Sequence, residues 1–388
     1  MSSFCKTMLL VGLILGFSPF IQADARPKGP TTPLEINELG LLIVKVRLAS
    51  KKAGVPNRDF RFILDTGASL SVLDPSVPSD FFWDEPDKPK GASSTVGDAT
   101  GQRIAARNVC LKRLEFAGMV REDMMAIRLD LKGTMLGRLQ DEPVDGILGM
   151  NALRGTRFVL DPIAREIRWW QDIPGHRIPL AYSESDHPTL TVRISGTDAP
   201  CTLDTGGSGG FQMTGHADDS DHPEPYFYSG ASGEVKQGQR VKVDRLESGG
   251  KAWLKVPLDL VKPGEGGANL GRDILCAAPL GLDFIDQWAT FTLDRDGNLP
   301  YREAPSRPPL YWERRAEGHR LRADQINPGS RWAKAGLKEG DEVLAIGPLE
   351  GKALTLRSAT ALSQQGKALS WLIQRNGVQL KLDVPAEK

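Results

Sequence analysis

The chain has 388 residues, which is enough for two or three ordinary domains. Its 49 lysines and arginines balance its 49 aspartates and glutamates, so net charge does not indicate nucleic acid or a membrane surface as a partner. Charged residues make up 25% and apolar residues 40% of the chain, a composition typical of globular proteins.

The N-terminal segment, residues 1–25, has the pattern of a secretory signal peptide. Lys6 supplies the positive start, residues 8–21 form the apolar core, and Ala23 and Ala25 occupy the two small positions that a signal peptidase reads. The apolar run is short for a membrane span, which needs roughly 20 residues. We therefore expect a secreted or periplasmic protein with no stable membrane span after cleavage. A retained anchor is the lesser alternative.

A pattern of landmarks then occurs twice in the same order. The matching pairs are "FILDTGAS" with "CTLDTGGS", "VGDATGQRIAARNVCLKRLEF" with "SGASGEVKQGQRVKVDRLESG", "IRLDL" with "VPLDL", and "DGILGMNALRGTRFVLD" with "GANLGRDILCAAPLGLD". The two aspartates of the first pair are 204 − 65 = 139 residues apart. Four landmarks in one order are difficult to explain by chance. We predict two homologous lobes, about 34–175 and 176–303.

Both lobes are predicted to consist mainly of β-strands. Short runs such as "LLIVKVRL" and "RFILD" are rich in branched residues, and "TLTVRIS" and "ATFTLD" alternate as half-buried strands do. "GMNALRG" and "GRDILCA" each predict a short helix after a buried strand. Cys110, Cys201 and Cys276 remain after signal cleavage, an odd number that favours buried thiols, with a bridge between Cys201 and Cys276 as the alternative.

Each lobe ends one buried strand with an aspartate, and a pair of such acids has a specific chemistry. Two carboxylates about 3 Å apart cannot both ionise at neutral pH, so they share one proton. The unprotonated acid can take a proton from water while the protonated acid gives one to a carbonyl oxygen. Asp65 and Asp204 therefore predict peptide hydrolysis that needs neither a metal nor an organic cofactor.

The residues that follow the acids suit the same task. Thr66 and Thr205 can hydrogen-bond backbone across a pseudo-twofold axis and hold the two loops together. Gly67 and Gly206 have no side chain, so backbone amides can approach the carboxylates. For a single Asp-Thr-Gly, an Asx turn at a strand end is an equal alternative. The doubled motif favours the catalytic interpretation.

The two Asp-Thr-Gly motifs, with "GILG" at 146–149 and "ANLG" at 268–271, resemble the aspartic proteases of the pepsin and retropepsin type. The resemblance spans about 34–303 and implies an all-β, bilobal fold made of two retropepsin-like lobes. It further implies catalysis by Asp65 and Asp204 on a peptide or protein substrate. Hairpin flaps are also implied, and their residues are Val96, Gly97 and Asp98 in the first lobe and Gly230, Ala231 and Ser232 in the second.

The sequence departs from the pepsin pattern in two places. Pepsin-like enzymes usually have a hydroxyl residue directly after Asp-Thr-Gly, but Ala68 and Gly207 stand there, and Ser69 and Ser208 come one position later. The first flap is rich in glycine and lacks the tyrosine of pepsins. Both departures resemble retropepsins. Without the outer hydroxyl the shared proton should be held to higher pH, so we expect an optimum less acidic than that of pepsin.

A proline-rich linker, 304–311, precedes a small α+β domain at 312–388. "NPGSRWAKAGLKEGDEVLAIG", residues 327–347, resembles a PDZ domain, which binds an extended peptide by strand addition beside a helix. The resemblance implies a groove between 319–323 and the helix near 358–365, with Leu321, Arg322 and Ala323 as peptide-binding residues. The preceding "AEGHRL" lacks the usual Gly-Leu-Gly-Phe-like loop.

Two hypotheses follow. The first is an exported aspartic endopeptidase whose PDZ-like domain binds a substrate or partner peptide. The second is a catalytically inactive, peptide-binding envelope protein that acts through the PDZ-like domain. An enzyme needs both acids within reach of one water and open space above them, whereas a binder could have splayed acids or a site plugged by Phe81–Trp83.

Overall fold

A computed structural model describes residues 29–84, 94–97, 102–217, 223–229, 235–262, 267–303, 307–315 and 318–387. The described residues are predominantly β, with 49% strand and 9% helix, so the all-β expectation is confirmed at this level. We call residues 34–175 the first repeat, 176–303 the second repeat and 307–387 the C-terminal module. No helix of the described ranges is long and apolar enough to cross a bilayer. The predicted signal peptide, 1–25, lies outside them.

One strand, β1 (Thr31–Pro33), precedes the first repeat, and the other elements of this part of the chain lie within it. They are β2 (Glu35–Ile36), β3 (Leu42–Leu48), β4 (Arg58–Leu64), β5 (Ser71–Leu73), a 3-10 turn (Ser79–Phe81), β6 (Phe82–Asp84), β7 (Ser94–Gly97), β8 (Arg103–Phe116), β9 (Met119–Arg128), α1 (Met135–Arg138), β10 (Gly146–Leu148), α2 (Met150–Leu153), β11 (Arg157–Asp161) and β12 (Glu166–Trp169).

The second repeat follows the same plan. Its elements are β13 (His176–Pro179), β14 (Ala181–Tyr182), β15 (Pro188–Ile194), β16 (Thr197–Leu203), β17 (Phe211–Thr214), β18 (Glu224–Ser229), β19 (Val235–Ser248), β20 (Lys251–Val261), β21 (Asn269–Leu270), α3 (Arg272–Leu275), β22 (Leu280–Asp283) and β23 (Trp288–Phe291). The predicted short helices after β10 and β21 are therefore present as α2 and α3.

The C-terminal module combines strands with short helices. Its elements are β24 (Leu310–Arg315), β25 (Gly318–Ala323), α4 (Arg331–Lys334), β26 (Glu342–Ile346), β27 (Leu349–Glu350), a 3-10 turn (Gly351–Ala353), α5 (Leu356–Ser363), β28 (Leu369–Arg375) and β29 (Val378–Val384). Leu310 and Tyr311, which the sequence placed in the linker, are the first residues of β24. Leu310 is buried in the core of the module, so the strand begins there.

Each repeat has its own large sheet, and the two sheets have matching orders. The first runs β2-β3-β4-β10-β5-β9-β8-β6 and the second β14-β15-β16-β21-β17-β20-β19-β18. In both, the strand that carries the acid lies parallel to a later strand: β4 pairs with β10 and β16 with β21. The sequence repeat is thus a structural repeat of one strand arrangement.

A third sheet contains strands from both repeats. Its order is β1-β12-β11-β22-β23-β13, with β11 of the first repeat antiparallel to β22 of the second. Phe158 and Leu282 are opposite each other in that central pair, and both are essentially fully buried. One apolar core therefore continues through both repeats. Burial on this scale is the main force that fixes the repeats against each other.

The C-terminal module has a separate apolar core. Its buried residues all lie between Leu310 and Val384, and Trp371 and Ile373 at its centre are fully buried. The sheet order is β24-β25-β26-β28-β29, so β24 is the edge strand. Helix α5 lies against β24. The module meets the first repeat through β24 and α5.

Candidate active site

The two predicted catalytic acids stand at equivalent points of the two repeats. Asp65 follows β4 and Asp204 follows β16, and in each case the backbone N–H donates to a carbonyl of the parallel neighbour strand. Asp65 N–H donates to Leu148 O at 3.1 Å, and Asp204 N–H donates to Leu270 O at 3.0 Å. The buried strands β4 and β16 therefore deliver both carboxyl groups to the same region between the repeats.

The predicted threonines hold the two loops together by reciprocal hydrogen bonds. Thr66 N–H donates to Thr205 Oγ1 at 3.0 Å, and Thr205 N–H donates to Thr66 Oγ1 at 3.1 Å. Each hydroxyl then donates to the opposite strand end, Thr66 to Leu203 O at 2.5 Å and Thr205 to Leu64 O at 2.8 Å. Both threonines are fully buried, so each bond satisfies a group that has no access to water.

Gly67 and Gly206 each pack against the acid of the opposite repeat. A methyl group at Gly67 would lie 2.5 Å from Asp204 Cγ, and one at Gly206 would lie 2.4 Å from Asp65 Cγ. Within the loops, Gly67 N–H donates to Asp65 Oδ1 at 2.8 Å and Gly207 N–H donates to Asp204 Oδ1 at 2.7 Å. The absence of a side chain at both glycines is therefore what lets the carboxyl groups meet.

The two carboxyl groups are in hydrogen-bonding contact, and their proton affinities are linked. Burial, together with the charge of Asp204, raises the pKa of Asp65. Burial also raises the pKa of Asp204, although the N–H of Gly207 and the charge of Arg272 oppose it. Both acids are partly buried, so each keeps some solvent-accessible area.

Arg272 is a site residue that the sequence reasoning missed. It is the first residue of α3, is only 8% exposed, and donates from Nη2 to Leu39 O at 3.1 Å. Its charge favours the ionised form of both acids, with the larger effect on Asp204. The matching residue of the first repeat is Met150. A charged residue where the other copy has an apolar one was the signal in the sequence.

The two glycine-ended segments, 146–149 and 268–271, contact the acid loops through their backbone. Met150 N–H donates to Ala68 O at 2.8 Å, and in the second repeat Asp273 N–H donates to Gly209 O at 2.9 Å. Gly149 and Gly271 lie so close to these loops that a methyl group at either would meet backbone atoms at 2.7 and 2.5 Å, respectively. These backbone contacts fix the position of each acid loop relative to its sheet.

The serines that follow the motifs do not contact the acids through any hydrogen bond that the structure records. Ser69 Oγ donates to Ser185 O at 2.7 Å, and His187 Nε2 lies 2.7 Å from the same hydroxyl. Burial lowers the pKa of His187, while nearby Asp204 raises it less. Ser208 hydrogen-bonds to Tyr226. Ser69 thus ties the first acid loop to the second repeat.

The aromatic segment Phe81–Trp83 does not plug the site. Phe81 and Phe82 are buried in the core, and β6 pairs with β8 through Phe82 and Leu111. Phe81 also packs edge-on against Phe60, with ring centroids 5.2 Å apart. Phe82 and Trp83 therefore belong to the outer strand of the first sheet, where Phe82 is buried and Trp83 is exposed.

The predicted flap residues are only partly described. Val96 and Gly97 end β7, which forms a hairpin with β8, and Val96 packs against the same apolar cluster as Ala68. β18 and β19 form the corresponding hairpin of the second repeat. Asp98, Gly230, Ala231 and Ser232 lie outside the described residues.

The predicted peptide-binding residues of the C-terminal module lie in the wrong strand for that role. Leu321, Arg322 and Ala323 belong to β25, which pairs with β24 along one edge and with β26 at Arg322 along the other. Leu321 and Ala323 are also buried in the core. The strand that contacts α5 is β24, and the predicted residues lie one strand away from that helix. The hairpin places β24 there, and the sequence alone did not reveal it.

The described residues contain no group of three or more His, Cys, Asp or Glu side chains that could hold a metal ion. Cys110, Cys201 and Cys276 carry free thiols. Burial raises the pKa of Cys201 and of Cys276 to about 12, so these thiols stay protonated at physiological pH.

Comparison with known proteins agrees with this geometry. Residues 52–152 match a protein-family model described as an aspartyl protease. The matched span contains Asp65 and the first acid loop and covers about a quarter of the chain. No curated protein matches the chain. The match supports an aspartyl protease domain in this part of the molecule.

Proposed function

We propose that the protein is an exported aspartic endopeptidase in which Asp65 and Asp204 form one catalytic dyad between two retropepsin-like lobes. The observation that carries the proposal is the contact of the two carboxyl groups above the interlocked Thr66 and Thr205. The family match of residues 52–152 supports the same activity at a coarser level. Export rests on the signal-like pattern of residues 1–25.

The environment of the acids suggests which of them holds the shared proton. The N–H groups of both Gly206 and Gly207 and the stronger influence of Arg272 favour the ionised form of Asp204, whereas Asp65 has only the Gly67 N–H, so we assign Asp204 as the carboxylate. Asp65 then carries the proton, because burial and the charge of Asp204 raise its pKa. General acid–base hydrolysis requires one protonated and one ionised acid, and two acids with different proton affinities provide that pair.

The reaction follows from these assignments. Asp204 takes a proton from a water molecule while the water oxygen bonds to the peptide carbonyl carbon. At the same time Asp65 gives its proton to the carbonyl oxygen. The resulting tetrahedral diol breaks its C–N bond when the nitrogen gains a proton from Asp204 and a hydroxyl proton returns to Asp65. Water is consumed and both acids regain their starting states. The chain's own residues therefore suffice for the proton transfers.

We further propose that the C-terminal module is PDZ-like and binds a peptide beside α5. Its support is the edge strand β24, which has no second strand partner among the described residues, lying next to that helix. An extended peptide can add to such an edge through main-chain hydrogen bonds. The peptide is a segment of a substrate or of a partner protein.

The test is cleavage of a mixed peptide pool by residues 26–388, from about pH 3 to about pH 7. Asp65→Asn and Asp204→Asn are measured beside the wild type. We expect each substitution alone to lower kcat by at least about a thousandfold, since neither acid can complete both proton transfers. Circular dichroism verifies that both variants are folded.

A folded wild-type chain that cleaves nothing over this range would contradict the proposal. It would favour the alternative of an inactive protease scaffold that binds peptides through its C-terminal module. Loss of activity in only one of the two variants would contradict the shared dyad.

A further inference from the structure

The C-terminal module holds a carboxyl group of the first repeat at the end of its groove. Leu356 N–H donates to Asp141 Oδ1 at 2.8 Å, and Arg357 N–H donates to Asp141 Oδ2 at 2.9 Å. The indole N–H of Trp312, on β24, donates to Asp141 Oδ1 at 2.8 Å. Three donors from both walls of the groove therefore meet one carboxylate.

These donors form a site for an anionic group. Leu356 and Arg357 open α5, where backbone N–H groups have no partner within the helix and the helix dipole favours negative charge. The Trp312 indole adds a donor that no helix end supplies by itself. Hydrogen bonds from such groups to a carboxylate are shorter and stronger than those between neutral groups.

The first repeat presents Asp141 from a fixed segment. The neighbouring Gln140 is fully buried and accepts a hydrogen bond from Asn37 Nδ2 at 2.9 Å, and its own amide donates to Leu136 O at 2.8 Å. Asp141 N–H donates to Glu38 Oε1. Contacts within the first repeat therefore fix the backbone that carries the Asp141 carboxyl group, so the group is preorganised as a ligand.

Space remains beside this contact. A cavity of about 230 Å³ lies between the first repeat and the module, and Leu139, Leu356 and Thr360 border it. Trp332 also borders it, is 6% exposed, and has an indole N–H without a partner among the described residues. Charged and polar side chains, among them Glu38 and Arg307, also border the cavity, so it can take a ligand with polar groups.

The first repeat covers β24 without pairing with its backbone. Helix α1 lies against β24, and the Arg138 guanidinium is 4.3 Å from the centroid of the Tyr311 ring. Among the described residues the only strand partner of β24 is β25, and no backbone hydrogen bond joins it to the segment around Asp141. The first repeat therefore contacts the groove through side chains and leaves the main-chain groups of this edge without a strand partner. An incoming peptide can pair with β24, but its own acidic group would meet Asp141 in the acid site.

We propose that the groove between β24 and α5 binds an extended peptide that carries an acidic side chain two residues after an apolar one, and that Asp141 of this chain occupies the acid site until such a peptide displaces it. The segment Leu139-Gln140-Asp141 is the internal copy of that ligand. The inference rests on the proposed peptide-binding role of the module and not on the proposed protease activity.

The internal copy weakens binding of an external peptide by competition. A tethered group acts at an effective concentration in the millimolar range, so an external peptide binds only to the fraction of molecules from which Asp141 has left. Peptide binding separates the module from the first repeat at this point. The groove therefore has two states, one with Asp141 bound and one with an acidic peptide bound.

The experiment measures binding of a fluorescent peptide with the sequence of residues 136–144, LGRLQDEPV. Full-length Asp65→Asn protein is used so that cleavage does not consume the probe. We expect Asp141→Ala in that background to bind the peptide at least about tenfold more tightly than the unaltered groove does. Glu142→Ala is the matched control, because it removes the same charge from the next residue, and it should leave the affinity unchanged.

The ligand chemistry is tested by a second peptide in which Asn replaces the Asp. It should lose most of the gain that Asp141→Ala provides, since it offers no carboxylate to Leu356, Arg357 and Trp312. If Asp141→Ala binds the first peptide no more tightly than Glu142→Ala does, the proposal is overturned. Equal affinity for the two peptides overturns the acidic preference.

Hydrogen exchange provides a readout that does not depend on the probe. In Asp141→Asn, which keeps the size of the side chain, the amides of Leu356 and Arg357 should exchange faster while the protection of β28 and β29 stays the same. Unchanged exchange at the start of α5 would show that Asp141 does not hold these groups. Because exchange is read locally, a variant that unfolds is recognised by loss of protection everywhere.

Discussion

At the scale of single residues, the two acid loops are not identical. Arg272 begins α3 where Met150 begins α2, and Gly207 follows the second motif where Ala68 follows the first. Arg272 interacts more strongly with Asp204 than with Asp65, so its charge lowers the pKa of Asp204 by more. In the proposed dyad this difference favours the proton on Asp65.

The pH dependence of activity follows from these shifts. A raised pKa means that a carboxyl group keeps its proton to higher pH and loses it only as pH rises through that value. Burial raises the pKa of both acids above the ordinary value of about 3.9. Activity requires one shared proton, so both limbs of a plot of kcat/KM against pH should lie higher than those of two isolated carboxyl groups. A profile that peaks near about pH 2 would contradict this assignment.

Replacing Arg272 by Met, the residue of the other repeat, should move the acidic limb to higher pH by roughly half a unit or more. The reason is that Asp204 loses the positive charge that favours its ionised form. Arg272→Lys keeps the charge and should retain most of the original limb. An acidic limb that stays in place in Arg272→Met would show that Arg272 has only a structural role.

At the scale of elements, two strand-loop units position the acids of the site. β4 and β16 each end in an acid loop, and the parallel strands β10 and β21 support the loops from below. Thr66 and Thr205 then join the loops to each other. The distance between the acids is thus set by backbone contacts and not by the acid side chains themselves.

A methyl group at Gly67 tests this dependence on backbone approach. In Gly67→Ala the added carbon would lie 2.5 Å from Asp204 Cγ, so the loops must separate. We expect a stability loss of about 1–3 kcal/mol in urea unfolding, as for other overpacked sites, and loss of nearly all peptidase activity. Gly267→Ala is the control, because Gly267 is exposed and no atom lies within 4 Å of the added carbon. Full activity in Gly67→Ala would mean that the acids need not meet.

At the scale of the whole molecule, the described residues form three apolar clusters. One runs through both repeats across β11 and β22, a second lies in the first repeat around Ile63 and Ile127, and the third is confined to the C-terminal module. Polar contacts such as that of Asp141 with α5 join the module to the first repeat. The described chain therefore consists of one unit formed by the two repeats and a module with its own core.

This separation predicts that the cores can be destabilised one at a time. Leu321→Ala should destabilise the module by about 2–5 kcal/mol, because Leu321 is 3% exposed in its core. Leu190→Ala, with 2% exposure, should do the same to the repeats. Hydrogen exchange read by mass spectrometry distinguishes the two regions. Equal loss of protection in both regions from either variant would show a single cooperative unit.

The sequence by itself identified the candidate acids and the repeat. Asp65 and Asp204 stand in contiguous motifs with the threonine and glycine that the proposed chemistry requires, and contiguous residues are read directly from a chain. The strand-rich character also followed, because alternating and branched runs are local patterns. The two short helices after β10 and β21 were predicted for the same reason.

Only the tertiary structure decided which strand borders the groove, what distinguishes the two acids, and what occupies the end of α5. The predicted strand β25 is buried between two neighbours, and a hairpin places β24 at the edge instead. Arg272 reaches Leu39, 233 residues away, and Asp141 reaches Leu356, 215 residues away. Such contacts depend on how sheets and cores bring distant segments together, and no local pattern of residues encodes that.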